Sequence, residues 1–297
     1  MSNHYYNAIT GEPCYIVTGS NGKTRPTTVK DARKLGLVPS YSTIVGILDK
    51  PGLTQWMQDQ IMEACIEWPA PDVKGEEYLF DKDTWKKEIK EIAGKLGRQG
   101  RERGTMVHDL LEKCYKGEGL PLDMHELIVP VLEMIDERIG AIPHHQWIAE
   151  QSFAYNGYGG KVDLHTRHLG LDGWAAVDVD GKDVAWFDNK LEALDFADNH
   201  EEVEPRKQGV ILDFKTKDVD DIKKMKPYPN DVMQHAAYRD GLGMPGAACY
   251  TLFVNVRHPG MLTLHKWEER QVQKAAKMFW CLKQFWYLNA GMEMPNG

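Results

Sequence analysis

The chain has 297 residues, 42% apolar and 27% charged, which is the profile of an ordinary globular protein with room for one large domain or two small ones. No stretch approaches the roughly 20 apolar residues of a membrane span, and the start, MSNHYYNAITGEPCYIVTG, lacks the basic-then-apolar order of a secretory signal, so no membrane association and a cytoplasmic location are expected. The net charge of −8 argues against a nucleic-acid partner only until its distribution is read. Residues 170–205 hold 11 acidic residues and two lysines, a balance of −9, which leaves +1 for the rest of the chain. Residues 86–103 carry seven basic and three acidic side chains, and 205–226 carry seven and four; each run suits a phosphate backbone or a solvated face. Cys14, Cys65, Cys114, Cys249 and Cys281 are scattered without a CxxC pair, which speaks against a disulfide scaffold and a compact zinc or iron–sulfur site.

In chain order, residues 13–34 predict a short hairpin and loop. The loop GSNGKT imitates a phosphate-binding loop, but the glycine that such a loop needs five positions before Gly22-Lys23 is Val17, so an ATPase is excluded. Helices are expected from about Tyr41, from Pro51 (with Leu53, Trp56, Met57, Ile61 and Cys65 on one stripe) and over Asp83–Leu96. A basic, glycine-flanked loop, Gly97–Gly104, then leads to a helix capped by Thr105, with Val107, Leu110, Leu111, Cys114 and Tyr115 as its apolar stripe. From Trp147 the period changes to two. Trp147–Tyr155 and Lys161–Thr166 read as paired strands around a turn at Gly157–Gly160. The acidic segment reads as a hairpin turning at Asp180-Gly181 and a helix over 189–198. Gly209–Lys217, Ala248–Val256 and Met261–Trp267 read as strands, Asp231–Gly241 and Glu268–Asn289 as helices. Helices on a mixed sheet make an α/β (α+β) domain.

The strand VILDFKTK places Asp213, Lys215 and Lys217 on one face. A carboxylate and an ammonium there are costly unless paired or bound to something; they suit either an edge-strand salt bridge or a cation site with a lysine that steadies a phosphate. On the strand GGKVDLH, Lys161, Asp163 and His165 share a face, and Asp163 is the matching carboxylate, while His165 reads as a surface histidine. His108 lies at the margin of its helix stripe and fits a core position or a ligand. Gln234 and Tyr238 share a helix face at i and i+4.

In this order RGTMVHDLLEK (Arg103–Lys113), Glu150 followed by GGKVDL (Gly159–Leu164), LDFKTKD (Leu212–Asp218) and QHAAY (Gln234–Tyr238) resemble the PD-(D/E)XK nuclease superfamily, in its RecB-like exonuclease branch. The segment Val38–Trp56 resembles the start of such exonucleases, phage and mitochondrial genome maintenance members included. The resemblance implies a restriction-endonuclease-like core over 105–297, an N-terminal helical region (1–104) over the active site, and an insertion at 170–205 at the tip of the sheet. It implies that His108, Asp163, Asp213 and the Phe214 carbonyl hold Mg²⁺ or Mn²⁺, that Lys215 is the catalytic lysine, that Glu150 supports the site, and that Gln234 and Tyr238 line it and meet DNA. Arg98, Arg101, Arg103 and Lys217 would hold phosphates, and Lys95 would join them. Tyr115, Tyr238 or Trp147 would stack on bases or serve the core.

The implied activity is metal-dependent hydrolysis of DNA by an exonuclease that prefers single strands, in phage-type recombination, replication or degradation. A phage recombination or single-strand-binding protein would be its companion. An endonuclease of the same fold and an inactive DNA-binding protein are the alternatives. Some relatives hold an iron–sulfur cluster with one upstream and three clustered C-terminal cysteines; here only Cys249 and Cys281 lie near that end, so no cluster is expected.

Overall fold

The structure, a computed structural model, describes residues 4–19, 22–48, 51–68, 81–167, 174–178, 183–187, 190–207 and 209–294. It is an α+β protein in two compact units, one of Met1–Ile47 with His108–Gly297 and one of Leu48–Val107. Among the described residues no helix is long and apolar enough to cross a membrane.

The first unit begins with β1 (Tyr5–Asn7), the two-stranded β2 (Ile16–Thr18) and β3 (Thr24–Pro26), α1 (Val29–Leu35), β4 (Leu37–Pro39), which pairs with β1, and α2 (Tyr41–Val45). Local chemistry sets these boundaries. Thr28 and Asp31 form a reciprocal capping box at the start of α1, Gly36 ends it in the left-handed region, and Ser40 caps α2. The residues 1–47 are thus mostly short strands and turns packed with the core unit, not part of the helical region expected over 1–104.

The second unit holds α3 (Pro51–Glu67) and most of α4 (Lys82–Tyr115). The basic loop expected at Gly97–Gly104 is instead helix, and Thr105 caps nothing, because α4 runs through both. A glycine costs a helix only about 1 kcal/mol, and no proline interrupts the run. Gly97 also serves packing, since a Cβ there would lie 3.3 Å from the Trp56 ring of α3.

In the first unit, α5 (His125–Arg138), absent from the sequence reading, precedes the central sheet of β5 (Ile148–Tyr155), β6 (Tyr158–Thr166), β10 (Val210–Lys217), β11 (Ala248–Asn255) and β12 (Leu262–Lys266). The strand order is β12-β11-β10-β6-β5; β10 and β11 are parallel and the other neighbours antiparallel. The parallel pair is joined through α7 (Pro229–Gly241), which starts with Pro229 in its first turn, and α8 (Glu269–Ala290) closes the chain behind a capping box of Glu268 and Gln271. All eight residues of β11 are buried, as expected for a strand covered on both faces.

The β5–β6 turn is Asn156-Gly157, both at positive φ, with Tyr155 opposite Tyr158. This is the two-residue turn that Asn-Gly favours, so Gly159 and Gly160, expected in the turn, lie in the strand. There they admit rings: a Cβ on Gly159 would stand 2.6 Å from Tyr6 Cγ, and one on Gly160 2.9 Å from Phe153.

The acidic insertion forms its own sheet, β8-β7-β9, from β7 (Trp174–Val177), β8 (Asp183–Phe187) and β9 (Glu204–Lys207), with α6 (Lys190–Asp198). The hairpin and helix were expected and β9 was not; the Asp180-Gly181 turn lies outside the described residues. The insertion leaves the central sheet where Thr166 pairs with Val210, three positions from Asp163 and Asp213.

Candidate metal and phosphate site

Three carboxylates line up across neighbouring strands. On β5 and β6, Ala149 pairs with Leu164 and Gln151 with Val162, so Glu150 stands opposite Asp163. Pairing lapses between these two because Glu150 adopts φ 56, a left-handed conformation that few non-glycine residues hold. Between β6 and β10 the ladder runs from Thr166–Val210 to Leu164–Leu212 and ends there. One step further along the same register come Asp163 and Asp213. Where the backbone pairing stops, the Asp163 side chain takes over: its Oδ2 accepts the Phe214 N–H at 2.8 Å. Phe214, expected to lend its carbonyl, is engaged through its N–H.

His108, near the end of α4, brings Nδ1 to 3.5 Å from Asp163 Oδ2, and its ring meets Phe214 edge-on at 6.0 Å. His108, Glu150 and Asp163 each offer a ligand atom, all within 4.8 Å of one another. Glu150, expected only to support the site, therefore stands among the potential ligands. Asp213 is engaged elsewhere. Lys215 Nζ lies 2.6 Å from its Oδ2, and Gln234 Nε2 donates to its Oδ1 at 2.8 Å. The Gln234 Oε1 accepts from Lys215 Nζ at 3.0 Å, Gln234 Nε2 also donates to the Tyr238 hydroxyl at 2.7 Å, and that hydroxyl donates to the Lys161 carbonyl at 2.7 Å. The i, i+4 spacing of Gln234 and Tyr238 on α7 thus spans β10 and β6 and fixes the Lys215 ammonium.

The electrostatics follow from burial. Asp213 is 1% exposed, and burial, with Asp163 adding to it, pushes its carboxyl up to about 7 against the pull of Lys215. Burial also opposes charge on Asp163, but His108, Lys215 and the Phe214 N–H outweigh it and hold its carboxyl below the ordinary value. Burial opposes charge on Lys215 and His108 as well; the carboxylates outweigh it and hold both bases above their ordinary values. Burial lifts Glu150, with Lys161 partly offsetting the effect.

The donor set of two carboxylates and one imidazole fits a hard divalent cation such as Mg²⁺ or Mn²⁺. A structural observation points the same way. Two carboxylates directly opposite across a strand pair repel, one of them in a strained backbone conformation, and a third with a raised pKa lies beside them.

Other sequence expectations fare unevenly. The edge-strand salt bridge is excluded, since β10 has β11 on one side and β6 on the other. His165 is buried at 2% exposure rather than on the surface, paired with Gln151, and burial lowers its pKa to about 4. Strand periodicity placed it on a face but could not show that this face is covered. Lys217 is half-buried with Nζ 5.7 Å from the Tyr228 ring, and burial lowers its pKa. Tyr115 and Trp147 are buried against each other, 5.8 Å between ring centres, and belong to the core. Lys95, Arg98, Arg101 and Arg103 are exposed on α4 within the second unit. Lys161, which the sequence put on the Asp163 face without a role, forms an ion pair with Glu150; its two-residue spacing from Asp163 was the available signal.

No family model matches the chain, and no curated protein does. Among solved structures, the crystal structure of SSO0001 is similar over 77% of this chain and 86% of that one, at 10% identity and a TM-score of 0.26.

Proposed function

We propose that this chain is a metal-dependent deoxyribonuclease of the PD-(D/E)XK type. The observation that carries the reading is the juxtaposition of the His108–Glu150–Asp163 cluster, drawn from α4, β5 and β6, with the Asp213–Lys215 pair of β10 held by Gln234. A divalent cation bound there would polarise a phosphate oxygen and make a water more acidic. His108, Glu150 and Asp163 would hold it. Asp213 keeps Lys215 charged and aimed, and Gln234 limits the ammonium to one position. That ammonium can hold the attacking water and offset negative charge that develops on the phosphoryl oxygens as the new P–O bond forms and the old one breaks. A raised Asp213 beside a charged lysine also offers a group that accepts and returns a proton near neutral pH.

We further propose that the enzyme acts on a free end and prefers single strands. Exposed Arg98 and Arg101 on α4 suit sequence-independent phosphate contacts.

The test uses end-labelled single- and double-stranded oligonucleotides and a covalently closed single-stranded circle, with Mg²⁺, Mn²⁺ or EDTA. Metal-dependent shortening of the linear strand with the circle left intact is expected. Cutting of the circle at the linear rate would establish an endonuclease. DNA binding without cleavage in any metal would establish a binding protein and overturn the enzymatic reading.

A further inference from the structure

Glu150 stands between the Lys161 ammonium and the candidate metal cluster. Its carboxylate pairs with the Lys161 ammonium, and it also belongs to the cluster it forms with His108 and Asp163. Glu150 carries a single negative charge, and a divalent cation held with His108 and Asp163 and the ammonium of Lys161 would both draw on it and repel each other, so they compete for it. The backbone is built to put Glu150 in this place, because its φ of 56 interrupts an otherwise regular β5–β6 ladder.

Lys161 is suited to the complementary role. Its backbone is tied down through its carbonyl, which accepts the Tyr238 hydroxyl at the end of the Lys215–Gln234 chain. Its side chain is 43% exposed. Beside it lies an aromatic wall. The Tyr6 and Tyr15 hydroxyls are 3.0 Å apart, the His4 and Tyr15 rings are 4.7 Å apart, and Tyr15 is 37% exposed. Tyr6 is seated against Gly159, two residues from Lys161 on the same strand, and its hydroxyl meets that of Tyr15. A partly exposed ammonium next to an exposed aromatic face is what a nucleotide needs, phosphate on the one and base on the other.

We propose that Glu150 is shared between Lys161 and a divalent cation, so that cation binding releases the Lys161 ammonium to a substrate phosphate, with Tyr15 as the stacking wall of that subsite. The competition stands on this geometry alone; the nucleotide as ligand rests on the nuclease reading above. By linkage, cation and substrate phosphate then favour each other's binding.

Calorimetric titration of Mn²⁺ into the full chain tests the competition. Lys161→Met should raise Mn²⁺ affinity 3- to 10-fold, Glu150→Gln should lower it, and Lys161→Met should add nothing in the Glu150→Gln background. Unchanged or weaker affinity in Lys161→Met overturns the proposal. So does a gain that persists without Glu150, since that would be simple charge repulsion. Lys161→Gln should repeat the Lys161→Met result and guards against a packing artefact. Anisotropy of a fluorescent phosphorothioate single strand tests the subsite: Lys161→Met and Tyr15→Ala should each weaken binding several-fold in Mn²⁺, and Lys161→Met much less in EDTA. Equal losses with and without Mn²⁺ would overturn the release of Lys161. If the unaltered protein binds no strand in either condition, the nuclease reading fails, while the calorimetry still decides the competition.

Discussion

Replacing Lys215 by methionine separates the lysine's proposed part in catalysis from its part in the fold. The side chain is 26% exposed and faces an Asp213 side chain that is 2% exposed, at 2.6 Å. Removing one partner of a buried pair costs 3–5 kcal/mol, and the partial exposure of Lys215 puts this case near the lower end, about 3 kcal/mol. Asp213 has an escape, since it can take up a proton. Its folded pKa of about 7 is already above the ordinary 3.8, so its contribution is full below 3.8 and is lost as pH rises through 7. Without Lys215 the carboxyl is pushed higher still, and above pH 7 every further tenfold weakening of its acidity costs about 1.4 kcal/mol. At pH 5.5 the carboxyl is protonated in both proteins, and only the hydrogen bond to Gln234 is lost, about 1 kcal/mol. Urea unfolding in EDTA should therefore show Lys215→Met destabilised by about 3 kcal/mol at pH 8.5 and about 1 kcal/mol at pH 5.5. Cleavage should fall at least tenfold, about 1.4 kcal/mol in the barrier, with strand binding largely kept. Equal destabilisation at the two pH values would refute the buried pair. A variant that cuts at more than a tenth of the normal rate would refute the catalytic assignment.

Asp163→Asn retains an oxygen for the Phe214 N–H but removes an anionic candidate ligand, so Mn²⁺ affinity should drop at least tenfold by calorimetry while Tm changes little; unchanged affinity would remove Asp163 from the proposed site. His108→Ala should weaken the metal less than Asp163→Asn does, and Asp213→Asn least, since Asp213 is committed to Lys215 and Gln234. In Gly241→Ala the new Cβ would fall 1.9 Å from Phe153 Cε2, in the packing between α7 and β5, so thermal unfolding should register a loss of about 2 kcal/mol; an unaltered Tm would mean that this contact yields without strain. His235 is fully buried against Thr251, and burial lowers its pKa from 6.5 to about 3. Its contribution is complete above pH 6.5 and is lost as pH falls toward 3, about 2 kcal/mol by pH 5. His235→Gln should flatten the acid side of the stability curve, and a curve parallel to that of the unaltered protein would contradict the buried neutral state.

Much of the fold was legible because it is locally encoded. The change of period at Trp147 and the apolar run of β11 each act over a few residues, whereas α1, capped by Thr28, lies inside the stretch 13–34 expected to be only hairpin and loop. The alternation of VILDFKTK put Asp213 and Lys215 on one face, and the helix spacing of Gln234 and Tyr238 put both on another. Where local signals compete, the reading failed. Gly97–Gly104 looks like a loop by composition, yet helix continues through it, since glycine weakens a helix without ending it. The Asn156-Gly157 signal was present and was outvoted by the glycines that follow.

What the sequence by itself determined is the inventory of chemistry: a carboxylate and a lysine two residues apart on one strand, another carboxylate on an earlier strand, and a histidine on a helix margin. Only the tertiary structure decided how these meet. It put Glu150 opposite Asp163, tied Lys161 to Glu150, committed Asp213 to Lys215 and Gln234, and buried His165 and His235. Each of these depends on cross-strand register or on a helix covering a sheet face. Residues paired in that way can stand 48 positions apart, as Leu164 and Leu212 do across the inserted sheet, or 77, as Lys161 and Tyr238 do, so no local period carries the information; only the simultaneous packing of all five strands and α7 selects it.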